Sequence, residues 1–163
     1  MSRVRLKFFV SIGVVLLTIS LAGCWGNSQA KKTGLVVINV LDRNLYDDCH
    51  IKDSIHVPFD AIEQYAKGID KNAEIVIYCS NYMCATSSYA ASKLSEIGFA
   101  NVRVYEGGVA EWFQKGLPVE GPGRQSYLSK AMKPMNVDEN PVPVITAEEL
   151  ARKMGMKSSS IDV

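Results

Sequence analysis

Two runs of consecutive apolar, mostly β-branched residues constrain this chain more than any other feature: Leu35-Val36-Val37-Ile38-Asn39-Val40 and Glu74-Ile75-Val76-Ile77-Tyr78. Neither alternates apolar with polar, so a strand built from either must be covered on both faces. Sheets covered in that way are parallel, and parallel neighbours need crossover connections. The intervening sequence supplies them. Asn44 to His50 reads as a short polar helix, and Ile55-His56-Val57-Pro58 as an extended piece closed by proline. Phe59 to Lys67 places Phe59, Ile62, Tyr65 and Ala66 near helical spacing. Ala85 to Ile97 does the same with Ala85, Tyr89, Ala90, Leu94 and Ile97, and Gly98 follows at the usual left-handed cap position. Val102-Arg103-Val104-Tyr105 predicts a third strand, and Gly107-Gly108 opens a helix through Trp112 and Phe113 that stops at Gly116. The expected fold class is α/β, a central parallel sheet flanked by helices on both sides.

At 163 residues the chain has room for one such domain with an appendage, and 47% apolar residues suffice for one packed core. With 18 basic against 17 acidic residues it lacks the excess that an electrostatic nucleic-acid binder needs. Residues 1–23 read as an export signal: Arg3, Arg5 and Lys7, then an apolar stretch from Phe8 to Gly23, short for a membrane-spanning helix. The stretch ends Leu21-Ala22-Gly23-Cys24, which resembles the lipobox of bacterial lipoproteins. That resemblance implies cleavage before Cys24, lipid on Cys24, and a domain tethered by residues 24–33 in the cell envelope, facing the periplasm or the exterior. Trp25, where an Asp would suggest inner-membrane retention, favours the outer membrane in a Gram-negative cell. Three further cysteines remain, Cys49, Cys79 and Cys84, an odd number that leaves at least one unpaired in an oxidising compartment.

Cys79 directly follows the second buried run, and Cys79-Ser80-Asn81-Tyr82-Met83-Cys84 bridges that strand to the next helix. In parallel sheets, ligands gather where strand carboxyl ends meet helix amino ends. A thiol placed there among unpaired amides is expected to have a depressed pKa, in contrast to a cysteine buried only for packing.

Residues 34–120 resemble a rhodanese domain. The resemblance rests on Val37-Ile38-Asn39-Val40, His50-Ile51-Lys52-Asp53-Ser54-Ile55-His56-Val57-Pro58 and Ile75-Val76-Ile77-Tyr78-Cys79. It continues through Gly98-Phe99-Ala100-Asn101-Val102, Tyr105-Glu106-Gly107-Gly108, Trp112 and Gly116-Leu117-Pro118-Val119. It implies a sulfurtransferase in which Cys79 takes a sulfane sulfur as a persulfide and passes it to a thiol or cyanide acceptor. It also implies that Cys79 to Cys84 form the active loop, whose amides cradle the outer sulfur. No metal or cofactor is implied, and the expected partners are a small sulfur donor, a thiol acceptor and, through Cys24, the membrane.

The sequence departs from the family in several places. The loop residues Ser80, Asn81, Tyr82 and Met83 are uncharged, and Cys84 stands where active members frequently carry Arg. Thiosulfate, a dianion, is therefore a weaker expectation than polysulfide or a persulfide. Ala85 at the sixth position after Cys79 counts against phosphatase chemistry, which relies on an arginine there. Cys84 suggests a resolving thiol, as opposed to a small packed residue at a helix start. Asn39 replaces the usual Asp and Leu41 a frequent Arg. His50 and His56 are read as structural, Cys49 as packing, and Trp112 as core. Two further functional readings stay open, a non-catalytic module that binds or senses sulfane sulfur and a thiol–disulfide protein using Cys79 and Cys84.

Residues 121–143 hold four of the six prolines and form a linker or wrapping segment. Thr146-Ala147-Glu148-Glu149 is a capping box that opens a helix closed by Gly155, and the 144–163 tail resembles the start of a rhodanese domain. Ile161-Asp162-Val163 repeats the pattern of Ile38-Asn39-Val40. Either a second domain begins here, or the tail folds back over a sheet edge; the fold-back is preferred because a lone capped helix and strand are marginal.

Overall fold

The structure, a computed structural model, describes residues 34–131 and 142–156. Cys24, the apolar leader and Ile161-Asp162-Val163 lie outside the described residues. Strands β1 (Leu35–Asn39), β3 (Ile55–His56), β4 (Glu74–Tyr78) and β5 (Val102–Tyr105) form one parallel sheet in the order β3-β1-β4-β5. The two apolar runs are its central strands. Ile75, Val76, Ile77 and Tyr78 point alternately to opposite faces, and all are buried. A continuous apolar run was needed there because neither face meets water.

Helix α2 (Ile62–Ala66), entered by a 3-10 turn at Phe59–Ala61, packs on α3 (Thr86–Glu96), which lies against β4 and β5. Gly98 ends α3 with φ +91°, and the N–H groups of Gly98 and Phe99 turn back to the carbonyls of Ser95 and Leu94. Helix α4 (Gly108–Gln114) buries Val109, Ala110 and Trp112. The Trp112 indole packs edge-on to Tyr105 and donates to the Pro118 carbonyl, so Trp112 is core as expected.

One expectation needs correction. The buried stripe of α3 is Ser87, Ala90, Ala91 and Leu94, whereas Tyr89 is 66% and Ile97 41% exposed. The helix is rotated from the face that apolar side chains alone suggest, because a serine occupies its inner stripe. A second finding carries no sequence signal: β2 (His50–Ile51) pairs antiparallel with β6 (Val119–Glu120), each strand only two residues long. Helix α1 (Arg43–Asp48) leads into that ribbon.

Of the proline-containing segment, the described part wraps the domain. Asp48 gathers the N–H groups of Gly123, Arg124 and Gln125, and a 3-10 turn at Ser126–Ser129 buries Leu128 beside α4. The segment 142–156 also docks. The Val104 N–H donates to the Pro143 carbonyl and the Ile145 N–H to the Val104 carbonyl, both at 2.9 Å, extending the sheet beyond β5. Helix α5 (Ala147–Lys153) follows, with the Thr146 hydroxyl accepting from the Glu149 N–H. Val142, Ile145, Leu150 and Ala151 are buried, and Arg103–Glu149, Lys115–Glu148 and Lys153–Glu74 ion pairs ring the contact. Among the described residues no helix is long and apolar enough to cross a membrane.

Candidate active site

Cys79 is the first residue beyond β4, at the carboxyl end of a central strand. Two neighbours fix it there. From below, the buried Tyr78 hydroxyl accepts from the Ile51 N–H at 3.0 Å and bonds the Ser54 hydroxyl at 2.7 Å. From the side, the Val109 and Ala110 N–H groups of α4 donate to the carbonyls of Cys79 and Ser80, at 3.0 and 2.9 Å. Gly108 makes that approach possible. Its φ is +61°, and a Cβ at this position would lie 2.6 Å from the Cys79 carbonyl oxygen, so no side chain fits.

The six residues Cys79 to Cys84 then turn into α3. The Asn81 side chain accepts from the Met83 N–H at 2.9 Å, and its carbonyl accepts from the Cys84 N–H at 3.0 Å, tightening the turn. Asn81 is buried, while Met83 is 61% exposed. Ser87 is the residue that the sequence reading missed. Its buried hydroxyl, in the first turn of α3, donates to the Cys79 sulfur at 3.5 Å. A serine at i in a stripe whose i+3, i+4 and i+7 are Ala90, Ala91 and Leu94 was the available signal.

The electrostatics of the two loop thiols reverse the expectation for Cys79. The residue is 1% exposed, and its thiol donates to the Cys84 carbonyl at 3.0 Å, with the Asn81 carbonyl 3.9 Å away. Burial, with the Cys84 sulfur beside it, pushes the Cys79 thiol up, not down. The donors converge on Cys84 instead. The neighbouring Cys79 thiol, and then the hydroxyl and N–H of Thr86 and the N–H of Ser80, favour the anion on Cys84 and draw its thiol below the ordinary range against the opposing effect of burial. Neither thiol is in a disulfide. The Cys79 S–H thus donates to the Cys84 main-chain carbonyl, and of the two thiols Cys84 is the one drawn toward the anion.

The rhodanese-like domain profile matches residues 25–115, more than half of the chain. The chain belongs to the rhodanese-like domain family. Among curated relatives, the thiosulfate sulfurtransferase GlpE of Coxiella burnetii is 30% identical over 82 residues, spanning 50% of this chain and 75% of that protein. GlpE of Pseudomonas syringae is 29% identical over 82 residues, 50% of this chain and 76% of that one. Among solved structures, the BH2092 protein of Bacillus halodurans aligns with TM-score 0.51 and 25% identity, covering 71% of this chain and 91% of that one. The rhodanese-like domain of the Anabaena sp. Alr3790 protein aligns with TM-score 0.50 and 27% identity, covering 63% of this chain and 76% of that one.

Within this rhodanese domain the remaining candidates are structural. His50 bonds the Tyr46 carbonyl at 2.7 Å and faces Glu120, and His56 bonds the Leu41 carbonyl at 2.7 Å. Cys49 is fully buried, and burial beside Asp48 raises its thiol to about 11, which leaves it inert. Asn39, at the end of β1, accepts from the Leu41 N–H at 2.8 Å, doing locally what a side chain at Leu41 cannot. Beside the loop lies a cleft of about 310 Å³ whose walls include Tyr82, Tyr105, Glu106, Glu111, Thr146 and Glu148. The docked tail supplies one wall. Burial and then Glu111 push the Tyr82 hydroxyl up to about 12, and three of the cleft's lining residues, Glu106, Glu111 and Glu148, are acidic. Among the described residues, no three His, Cys, Asp or Glu side chains group as a metal site.

Proposed function

We propose that this rhodanese domain is a sulfurtransferase that carries sulfane sulfur as a persulfide on Cys79, taking it from a polysulfide or persulfide donor and giving it to a thiol acceptor. The single observation that carries this reading is the position of Cys79, at the carboxyl end of β4 with its carbonyl pinned by α4. In the first half-reaction the Cys79 sulfur attacks the terminal sulfur of the donor. The Cys79 proton, held toward the Cys84 carbonyl before the reaction, swings to the Cys84 sulfur as the new bond forms, and the remainder of the donor leaves as a thiolate or shortened polysulfide. An acceptor thiolate then attacks the outer sulfur and regenerates Cys79.

The relatives named thiosulfate sulfurtransferases suggest thiosulfate as a donor, but the loop here argues for less charge. It offers no Arg or Lys to a dianion, and Glu106, Glu111 and Glu148 surround the adjoining cleft. The expected result is a kcat/KM for inorganic polysulfide that exceeds that for thiosulfate by about tenfold or more, equivalent to about 1.4 kcal/mol of transition-state binding. The assay measures both donors with a thiol acceptor, and mass spectrometry locates the gain of about one sulfur atom on the Cys79 peptide. Equal efficiency would remove the charge argument. A Cys79 adduct that no acceptor discharges would make the chain a sulfane-sulfur store or sensor.

The N-terminal sequence extends the reading to location. Its basic head, apolar stretch and Leu21-Ala22-Gly23-Cys24 support an envelope protein held by lipid on Cys24. Cys24→Ser is then expected to move the protein from the membrane fraction to the soluble one. An unchanged membrane fraction would count against lipid on Cys24.

A further inference from the structure

We propose that Cys84 is a resolving thiol: it attacks the sulfur-loaded Cys79, closes a Cys79–Cys84 disulfide and expels the sulfane sulfur as hydrosulfide. The inference rests on the sulfurtransferase reading above and adds a second exit for the sulfur, reductive release in place of transfer.

Three observations carry it. The first is contact. Cys79 and Cys84 bound one six-residue loop, and the Cys79 thiol donates to the Cys84 main-chain carbonyl at 3.0 Å. The Cys79 sulfur thus already lies against the Cys84 residue, at the other end of the same short loop. The second is access. Cys79 is 1% exposed, so an external thiol meets the outer sulfur of a persulfide while the inner one stays covered, whereas Cys84 lies on the same loop with its carbonyl 3.0 Å from the Cys79 sulfur. The third is activation. Amides of Ser80 and Thr86 and the Thr86 hydroxyl stabilise the Cys84 thiolate, the form that attacks a sulfur–sulfur bond, and Cys84 is only half-buried.

The step balances without an outside oxidant. The Cys84 thiolate attacks the Cys79 Sγ; the Cys79–Cys84 bond forms, and the bond from Cys79 Sγ to the sulfane sulfur breaks. The sulfane sulfur keeps the electron pair, takes the proton that Cys79 earlier gave to Cys84, and leaves as HS⁻. Two cysteine sulfurs are oxidised by two electrons and the sulfane sulfur is reduced by two. Resetting the site requires a dithiol reductant, which opens the disulfide by thiol–disulfide exchange.

The test is a single turnover of the reduced full-length chain with one equivalent of glutathione persulfide and no other reductant. Released sulfide is trapped, and peptides are mapped without reduction. The wild type is expected to release close to one sulfide per chain and to yield a linked Cys79–Cys84 peptide. Cys84→Ser and Cys84→Ala are both expected to release at least about tenfold less and to retain about 32 Da, one sulfur atom, on the Cys79 peptide. The two variants together guard against an effect peculiar to the serine hydroxyl. If the wild type also keeps the added sulfur, with Cys79 and Cys84 unlinked, the resolving role is overturned while sulfur transfer stands. If no form of the chain gains sulfur on Cys79, the sulfurtransferase reading fails and the resolving step fails with it.

Discussion

Cys79→Ser is expected to lower sulfane-sulfur turnover by about three orders of magnitude or more, while leaving the thermal unfolding midpoint nearly unchanged. The two halves of that result have different physical origins. Turnover depends on a sulfur that forms and releases a sulfur–sulfur bond, and a hydroxyl cannot enter that cycle. Folding depends on the hydrogen bond from position 79 to the Cys84 carbonyl and on the one received from Ser87, and a serine hydroxyl keeps both. Steady-state assay with polysulfide beside a melting curve checks the pair of outcomes. Residual turnover within about tenfold of wild type would mean that Cys84, with its stabilised thiolate, accepts the sulfur directly.

The second large effect concerns stability. Leu150→Ala, in α5, is expected to cost about 3 kcal/mol and to lower the midpoint by about 10–20 °C. Leu150 is fully buried in the core, among Val142, Ile145 and Ala151. Truncating the chain after Ala131 is expected to cost more, since it also strips the main-chain bonds between Val104 and residues 143 and 145 and reopens the edge of β5. Differential scanning calorimetry on the full-length protein and both variants supplies the numbers. A Leu150→Ala variant that melts with the wild type would mean that the capped helix and strand do not belong to this domain's core.

How much of this was legible in the sequence depends on the length of the signal. Four consecutive apolar residues from Leu35 and again from Ile75 leave few alternatives to a sheet covered on both sides, and Gly98 and Gly116 both take the positive φ expected at a helix end. Two-residue strands such as His50–Ile51 have no period to detect. Ser87 escaped because a polar residue on an inner stripe looks like a break in the stripe until the helix is packed. The loop was located from its flanks, but the direction of its amides was not. The flanking strand and helix fix where the turn sits and leave open which of the two sulfurs the N–H groups of Ser80 and Thr86 favour as an anion. In the structure they favour the anion on Cys84, while burial pushes the Cys79 thiol up.

The order in which the sheet is assembled has a consequence for biogenesis. Its strands from Leu35 to Tyr105 are synthesised first, whereas the stretch that closes the rim beside Val104 emerges some forty residues later. Until then a nascent chain has an unfinished β-edge and lacks the hydrophobic plug of Leu150, so it stays short of its final stability throughout most of synthesis.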